Sequence, residues 1–279
     1  MREIDVSELT RTVRELCIDA NYRLGDDVIA AFDRALEKEK SPVGIEVIKD
    51  LKENARIAAE GNFPVCQDNG FAVVFVELGQ EVHFIDGDYR EAINEGVRQG
   101  YKDGFLRKSI CDPLTRKNTG DNTPCVIHTD LVPGDRVKIR LTPKTGGSEN
   151  MSRLAMLAPA AGMEGVKRFI IDCAREAGPD SCPPNVMGVG IGGTFEMVTL
   201  LATKSLLRPI GKPNNDFELA ALEQELLTKI NNLGIGPAGY GGKTTALAVH
   251  VEYHSCHTAS LPVAVNLSCH ASRYKEAAL

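Results

Sequence analysis

The chain has 279 residues, 43% of them hydrophobic and 5% aromatic, with no tryptophan and a formal charge of −6. That is enough apolar material to bury a core in one large domain or two modest ones, and it argues against disorder. The scarcity of aromatics and the absence of a basic tract exclude a base-stacking platform and a general surface for nucleic acid or anionic membrane, so an anionic small molecule would need a local cluster of Arg and Lys.

The N-terminal Met1-Arg2-Glu3-Ile4-Asp5 run is charged and lacks the apolar stretch of a signal peptide. No apolar run reaches membrane-span length, so the expectation is a cytoplasmic protein. The first 60 residues read as helical: Leu9, Val13, Leu16, Cys17 and Ala20 recur at helical spacing. Ser41-Pro42 supplies a cap with proline at the first helical position, and Ile48, Leu51 and Ala55 continue an apolar face toward Gly61. Phe71–Leu78 reads as a strand and Asp86–Tyr101 as a helix, whereas 104–124, rich in Pro, Thr, Asn and Gly, reads as a long ordered loop. Val126–Leu131 and Arg136–Leu141 read as strands joined through Pro133-Gly134-Asp135, followed by a flexible Gly146-Gly147-Ser148 segment. Gly162–Gly178 is an amphipathic helix, Val186–Ile191 a strand of small residues ending in Gly192-Gly193-Thr194, and 214–233 a helix. Gly234–Gly242 is glycine-rich, and two strand-like runs flank His254–Ser260. Mixed elements without clean βαβ alternation predict an α+β, irregular mixed α/β fold. No linker divides 1–279, which reads as one domain with room for two subdomains.

Eight cysteines in a reducing compartment point to thiols that pack or bind metal rather than to disulfides. Cys17 and Cys173 sit on apolar helix faces, Cys111 and Cys125 flank the long loop, and all four read as packing residues. Cys256, in His254-Ser255-Cys256-His257, has the look of a zinc fragment without the paired spacing of a finger. Cys66, Cys182 and Cys269 differ because each lies in a break: before Gln67-Asp68-Asn69-Gly70, before Pro183-Pro184, and between an apolar strand and a polar turn. They are 116 and 87 residues apart, so only the fold could join them, and spacing alone leaves a shared metal site open. Gly188-x-Gly190-x-Gly192 lacks the context of a dinucleotide loop, and Gly241-Gly242-Lys243-Thr244 lacks the first glycine of a phosphate loop, position 237 being proline. These glycines read instead as places where backbone approaches a ligand or cluster. Isolated cations such as Arg107, Lys144 and Lys243 read as solvated charges on composition alone.

Taken in order, the motifs resemble a known family. They are Cys66-Gln67-Asp68, Leu106-Arg107, Asn118-Thr119-Gly120-x-Asn122-x-Pro124, Gly146-Gly147-Ser148, Cys182-Pro183-Pro184, Ile191-Gly192-Gly193-Thr194, Gly241-Gly242-Lys243, His257-x-Ala259-Ser260 and Ser268-Cys269. They span nearly the whole chain and make it similar to the iron–sulfur-dependent class I fumarate hydratases and L-tartrate dehydratase, more narrowly to the α subunit of the two-subunit forms. The resemblance implies a [4Fe-4S] cluster held by Cys66, Cys182 and Cys269, with one iron open to substrate. It implies proton transfer by Asp68, substrate contact or proton handling by His257, and substrate binding at Gln67, Arg107 and Gly147, where the Arg107 fork would pair with a carboxylate. Without the resemblance, Asp68 reads as a turn cap.

The implied activity is reversible hydration of fumarate to (S)-malate, a step of the tricarboxylic acid cycle. L-Tartrate dehydration is the alternative, and a non-catalytic metal-binding subunit that uses zinc is a reading of another class. There are departures. Val126 stands where single-chain relatives place a pocket glutamine, with His128 two residues on, and Cys256 does not align with their additional cysteine. The chain also stops ten residues after Cys269, where single-chain relatives continue into a second domain. The expectation is a separate β subunit, for instance two of each subunit in a hetero-oligomer, completing the site for a small dicarboxylate.

Overall fold

A computed structural model describes residues 1–279. The elements run β1 (Arg2–Asp5), α1 (Val6–Tyr22), α2 (Asp26–Lys38), α3 (Pro42–Gly61), β2 (Phe71–Gly79), β3 (Val82–Ile85), α4 (Tyr89–Asp103), β4 (Val126–Val132) and β5 (Val137–Lys144). They continue with α5 (Gly146–Asn150), β6 (Arg153–Leu157), α6 (Gly162–Ala177), β7 (Asn185–Gly192), α7 (Phe195–Ser205), α8 (Phe217–Asn231), β8 (Ala246–His254), β9 (Leu261–Ser268) and β10 (Lys275–Ala278). This is the mixed α+β architecture the sequence predicts, and no helix is long and apolar enough to cross a membrane.

The chain forms two compact units, neither contiguous. The first comprises Met1–Gly25, Asn54–Gly146 and Arg273–Leu279; the second comprises Asp26–Glu53 and Gly147–Ser272. The crossings at 53/54 and 146/147 fall inside α3 and α5, which is why no linker composition marks them.

In the first unit, Asp5 and Asp88 cap α1 and α4 through hydrogen bonds from Ser7 and Glu91 N–H, each satisfying a donor the helix leaves open. The periodic face of α1 (Leu9, Val13, Leu16, Cys17) packs with Ile93, Val97 and Tyr101 of α4 against Val74, Val76, Ile139 and Leu141. The sheet order is β10-β5-β2-β4. Hence β4 and β5 do not pair although only 133–136 separate them; β2 lies between, parallel to β4 and antiparallel to β5. The Pro133-Gly134-Asp135 turn predicted from sequence therefore carries the chain over the end of β2, whose Gly79 N–H donates to Arg136 O at 2.9 Å.

The second unit is built on the sheet β6-β9-β7-β8. Strand β7 is buried along its whole length, with α7 on one side and α6 and α8 contributing to the core on the other. A Cβ at Gly188 would lie 2.1 Å from Ala202 O, and one at Gly190 2.1 Å from Val198 O. These two glycines thus let α7 settle on the strand; their neighbour is a helix rather than a ligand. Gly146-Gly147-Ser148, expected to be flexible, opens the short helix α5 with Ser148 buried. Short β1, β3 and β10, and helix α7, carry too few periodic residues to be read locally.

The second unit also buries His250, 2% exposed, whose Nδ1–H donates to Ser205 O at 3.1 Å. Nearby, the Arg208–Glu223 ion pair is closed by Val251 N–H donating to Glu223 at 2.7 Å. Burial, and then the Arg208 charge, push the His250 imidazole from 6.5 down to about 4. Its folded value lies below its unfolded value, so protonation favours the unfolded chain, and the stability it confers is lost as pH falls from 6.5 through about 4. His250→Asn, which retains a donor for Ser205 O, is expected to show a flatter loss of stability across that window in urea unfolding midpoints. An unchanged pH slope would contradict this account.

Candidate active site

The Cys66–Gly70 turn is clamped from the rest of the first unit. Val65, just before it, donates its N–H to Asn21 O at 2.9 Å and accepts from Asn54 Nδ2 at 2.8 Å. Asn69, 1% exposed, uses its amide to reach Cys66 O at 3.0 Å and Asn21 Oδ1 at 3.3 Å, while its Oδ1 accepts Arg107 N–H at 2.6 Å. Tyr101 Oη donates to the carbonyls of Asn69 at 2.6 Å and Gly70 at 3.1 Å, and burial pushes its phenol pKa far up, keeping it a donor. Fully buried Asn122 donates to Gly70 O at 3.2 Å and accepts Ser109 N–H at 2.7 Å. Gly70 itself has φ +69°, and a Cβ there would lie 2.7 Å from the Lys144 backbone, so only glycine fits.

This clamping orients three of the predicted residues. Half-buried Cys66 receives the Asp68 N–H on Sγ at 3.4 Å. The Asp68 carboxylate accepts Gly70 N–H on Oδ1 at 3.0 Å and Gly146 N–H on Oδ2 at 2.8 Å, so both oxygens are fixed while retaining lone pairs. The turn-cap reading of Asp68 is therefore correct as geometry and leaves acceptor capacity for chemistry. Gln67 is exposed, and Arg107 is tethered by its backbone while its guanidinium is exposed. The long loop bearing Arg107 is ordered by short polar side chains: Asp112 accepts from Leu114 and Thr115, Asn118 spans to Lys108 O, and Asp121 pairs with Arg98.

In the second unit, Cys182 and Cys269 come together at one end of the sheet. Cys182 takes a left-handed conformation, φ 54°, and its carbonyl accepts the His270 N–H at 3.1 Å. Asn185 braces both loops, donating to Ser181 O at 2.9 Å and Ser268 O at 3.2 Å. Cys182 is exposed and Cys269 buried, and neither is in a disulfide. Gly147 is exposed and opens the second unit's share of α5.

His257 lies elsewhere. The β7–β9 register pairs Val186 with Ser268 and Ile191 with Val263, and β8 runs parallel to β7 so that Gly192 meets His254. The His254–Leu261 connection therefore sits at the Gly192 end, and the Cys182–Cys269 pair at the Asn185 end. The seven steps of β7 separate these ends by roughly 23 Å. Exposed His257 accepts the Ala259 N–H on Nδ1 at 3.1 Å, which fixes its neutral ring as the Nε2–H tautomer.

The remaining motifs have structural roles. Glu39 fills the Gly241–Thr244 segment: its carboxylate accepts N–H groups of Lys243 and Thr244, each at 2.9 Å, and of Lys40 and Ser41. The anion nest is thus occupied by an internal carboxylate, in agreement with rejecting a phosphate loop. Burial pushes the thiols of Cys17 far up, Cys125 to about 11 and Cys173 to about 12, as expected of inert packing residues. Cys256 is exposed and donates to Ser260 O at 3.3 Å. Lys144 is buried, 7% exposed, against the solvated role composition suggested, whereas Arg107 and Lys243 are exposed. Within neither unit do three or more His, Cys, Asp or Glu side chains form a ready-made metal cage.

Sequence reasoning missed Asn69, Tyr101, Arg273 and Asn185, and took Asn122 only as part of a motif. The one local signal was the Asp-Asn-Gly turn; the partners of these side chains lie up to 205 residues away, as in Arg273 Nη2 donating to Asp68 O at 2.7 Å.

A family model described as Fumarate hydratase (Fumerase) matches residues 10–278. The chain is similar to a Methanocaldococcus jannaschii protein named "Putative L(+)-tartrate dehydratase subunit alpha", with 42% identity over 95% of each chain. It is similar also to the L(+)-tartrate dehydratase subunit alpha of Escherichia coli, with 32% identity in strain UTI89 and 31% in strain K12, over 96% of this chain and 89% of theirs.

Asn69→Ala strips a buried donor and acceptor from three partners and is expected to lower stability by about 2–3 kcal/mol. Exposed Gln67→Ala in the same turn should change it by less than ~0.5 kcal/mol. Urea unfolding of both variants checks the contrast.

Proposed function

The chain belongs to the fumarate hydratase (Fumerase) family, and from that membership we propose that it is the α subunit of an iron–sulfur hydro-lyase acting on a four-carbon 2-hydroxy dicarboxylate, with L-tartrate as substrate. The observation that carries this reading is the correspondence, over 95–96% of the chain, with relatives named as tartrate dehydratase α subunits. Reversible hydration of fumarate to (S)-malate is the second reading, favoured by the description of the family model. L-Tartrate and (S)-malate are both 2-hydroxy dicarboxylates, and their dehydration makes the same bond changes, hydroxide leaving one carbon and a proton its neighbour.

Cys66, Cys182 and Cys269 are the proposed ligands of a [4Fe-4S] cluster, and the donor set suits it: three thiols outside disulfides, each in a turn or strand end, and in the first unit a buried arginine with unpaired N–H groups that donates to the Asp68 carbonyl two residues after Cys66. When bound, the cluster supplies a Lewis acid at an iron without a protein ligand, easing departure of hydroxide. The chain's own residues do the rest. Asp68, held at both oxygens by main-chain N–H groups, offers a carboxylate lone pair to the carbon-bound proton. Arg107, tethered at its backbone, presents its guanidinium fork to a substrate carboxylate, and Gln67 and Gly147 contribute further polar contacts. His257, at the far end of its own sheet from the Cys182–Cys269 pair, serves through Nε2–H the site of a second copy. The relatives' names motivate a separate β subunit that completes the pocket.

The chain purified without air and reconstituted with iron and sulfide is expected to be brown and oxygen-labile, and to turn over little substrate until its β subunit is added. The pair should then dehydrate L-tartrate with a higher kcat/KM than (S)-malate. Preference for malate would transfer the assignment to fumarate hydration, and a colourless zinc protein would sink both in favour of a non-catalytic metal-binding subunit.

Cys182→Ser tests the ligand set: bound iron is expected to fall roughly tenfold or more at limiting iron. Full retention would remove Cys182 from the proposed ligands.

A further inference from the structure

Arg273 is 3% exposed, and its charge has no counter-ion: no carboxylate of the chain pairs with it. One arm is in use, with Nη2 donating to Asp68 O at 2.7 Å. Its backbone carbonyl is fixed by Thr142 Oγ1 at 2.8 Å, two residues before β10 begins. Nε and Nη1 are buried and have no hydrogen-bond partner. A guanidinium has five N–H donors and stays charged at every accessible pH, so it cannot relieve the cost by losing a proton. Burying such a cation without a counter-charge, with donors unmet, is strongly unfavourable. An anionic acceptor is therefore missing from the bare polypeptide.

Both attachments of Arg273 lead to cysteines already proposed as ligands. The carbonyl it holds belongs to Asp68, two residues after Cys66, and Arg273 itself follows Cys269 by four residues. Three thiolates and the sulfides they help bind carry net negative charge, and sulfur atoms of such centres accept N–H hydrogen bonds that raise the reduction potential and retard metal loss. Arg98, Arg140 and Lys275 of the first unit, by contrast, are paired with carboxylates.

We propose that Arg273 is the positioning residue and counter-cation of the cofactor, with one arm holding the Asp68 turn and its two unpaired nitrogens donating to sulfur of the iron–sulfur centre. This rests on the cluster assignment above. It adds a residue that couples Asp68 to the charge of the cofactor through a single rigid fork.

The test uses the full chain, reconstituted anaerobically. In wild-type protein carrying arginine labelled with heavy nitrogen, pulsed EPR of the reduced cluster is expected to show coupling to arginine nitrogen, and a spectrum without it overturns the proposal. In Arg273→Gln, iron retention should weaken roughly 10–100-fold and the reduction potential should become more negative. Arg273→Lys, which keeps the charge but not the fork, should fall between. Thermal melting of the metal-free variants reads any purely structural contribution. If the variants melt as wild type does and keep its potential and iron retention, Arg273 has no role toward the cluster. If a variant does not fold, the labelled wild-type spectrum decides. A wild-type chain that binds no cluster would refute the cofactor assignment itself, whereas a loaded wild type without coupling refutes only the role of Arg273.

Discussion

The first unit depends on how the carbonyls of one tight turn are satisfied. Cys66, Asp68, Asn69 and Gly70 point main-chain oxygens inward where no neighbouring strand can pair with them. A buried carbonyl without a donor is costly, so the fold brings four side chains to them: Asn69 itself, Tyr101 from α4, Asn122 from the long loop and Arg273 from the C-terminal segment. The helix, the loop and the last strand are thereby tied to one point. The turn is consequently a rigid platform for Cys66 and Asp68, because four of its carbonyls are held by side chains from the turn itself, a helix, the long loop and the C-terminal segment.

The second unit solves a different problem. Strand β7 is thinned to glycine at 188 and 190 so that α7 can lie directly on it, and the strand is buried on both faces. A stiff, fully buried strand makes a reliable ruler. Cys182 and Cys269 stand at one end, where Asn185 braces their loops, and His257 stands at the other. A family motif set that looks like a single constellation in sequence is thus split by the length of a strand. Residues held at opposite ends of one buried, fully paired sheet cannot meet within that sheet.

The same packing logic separates the cysteines and the glycine motifs. Cys17, Cys125 and Cys173 are buried among apolar neighbours that push their thiol pKa values up, whereas Cys66 is half-buried and Cys182 exposed, each in a turn. The Gly-Gly-Lys-Thr segment forms an anion nest in earnest, but Glu39 occupies it, converting a phosphate-like loop into an internal latch on the start of α3.

Local chemistry in the sequence determined a good deal. The 3.6-residue apolar period set α1, α6 and α8, the Val-rich run set β2, the small-residue apolar run set β7, and the polar, Asx-rich composition set the ordered loop carrying Arg107. It also marked Cys66, Cys182 and Cys269 as the cysteines placed in breaks, since turn residues beside a thiol are a one-dimensional signal. Tertiary structure alone decided the rest. Only three-dimensional pairing could insert β2 between β4 and β5, divide the chain into two discontinuous units with two of the crossings inside helices, and move His257 a strand's length from Cys182. Arg273 shows the limit most sharply: in sequence it is one cation among many, and it acquires meaning only where folding buries it against Asp68 and leaves two of its nitrogens without a partner, because burial and satisfaction are properties of contacts between residues distant in the chain.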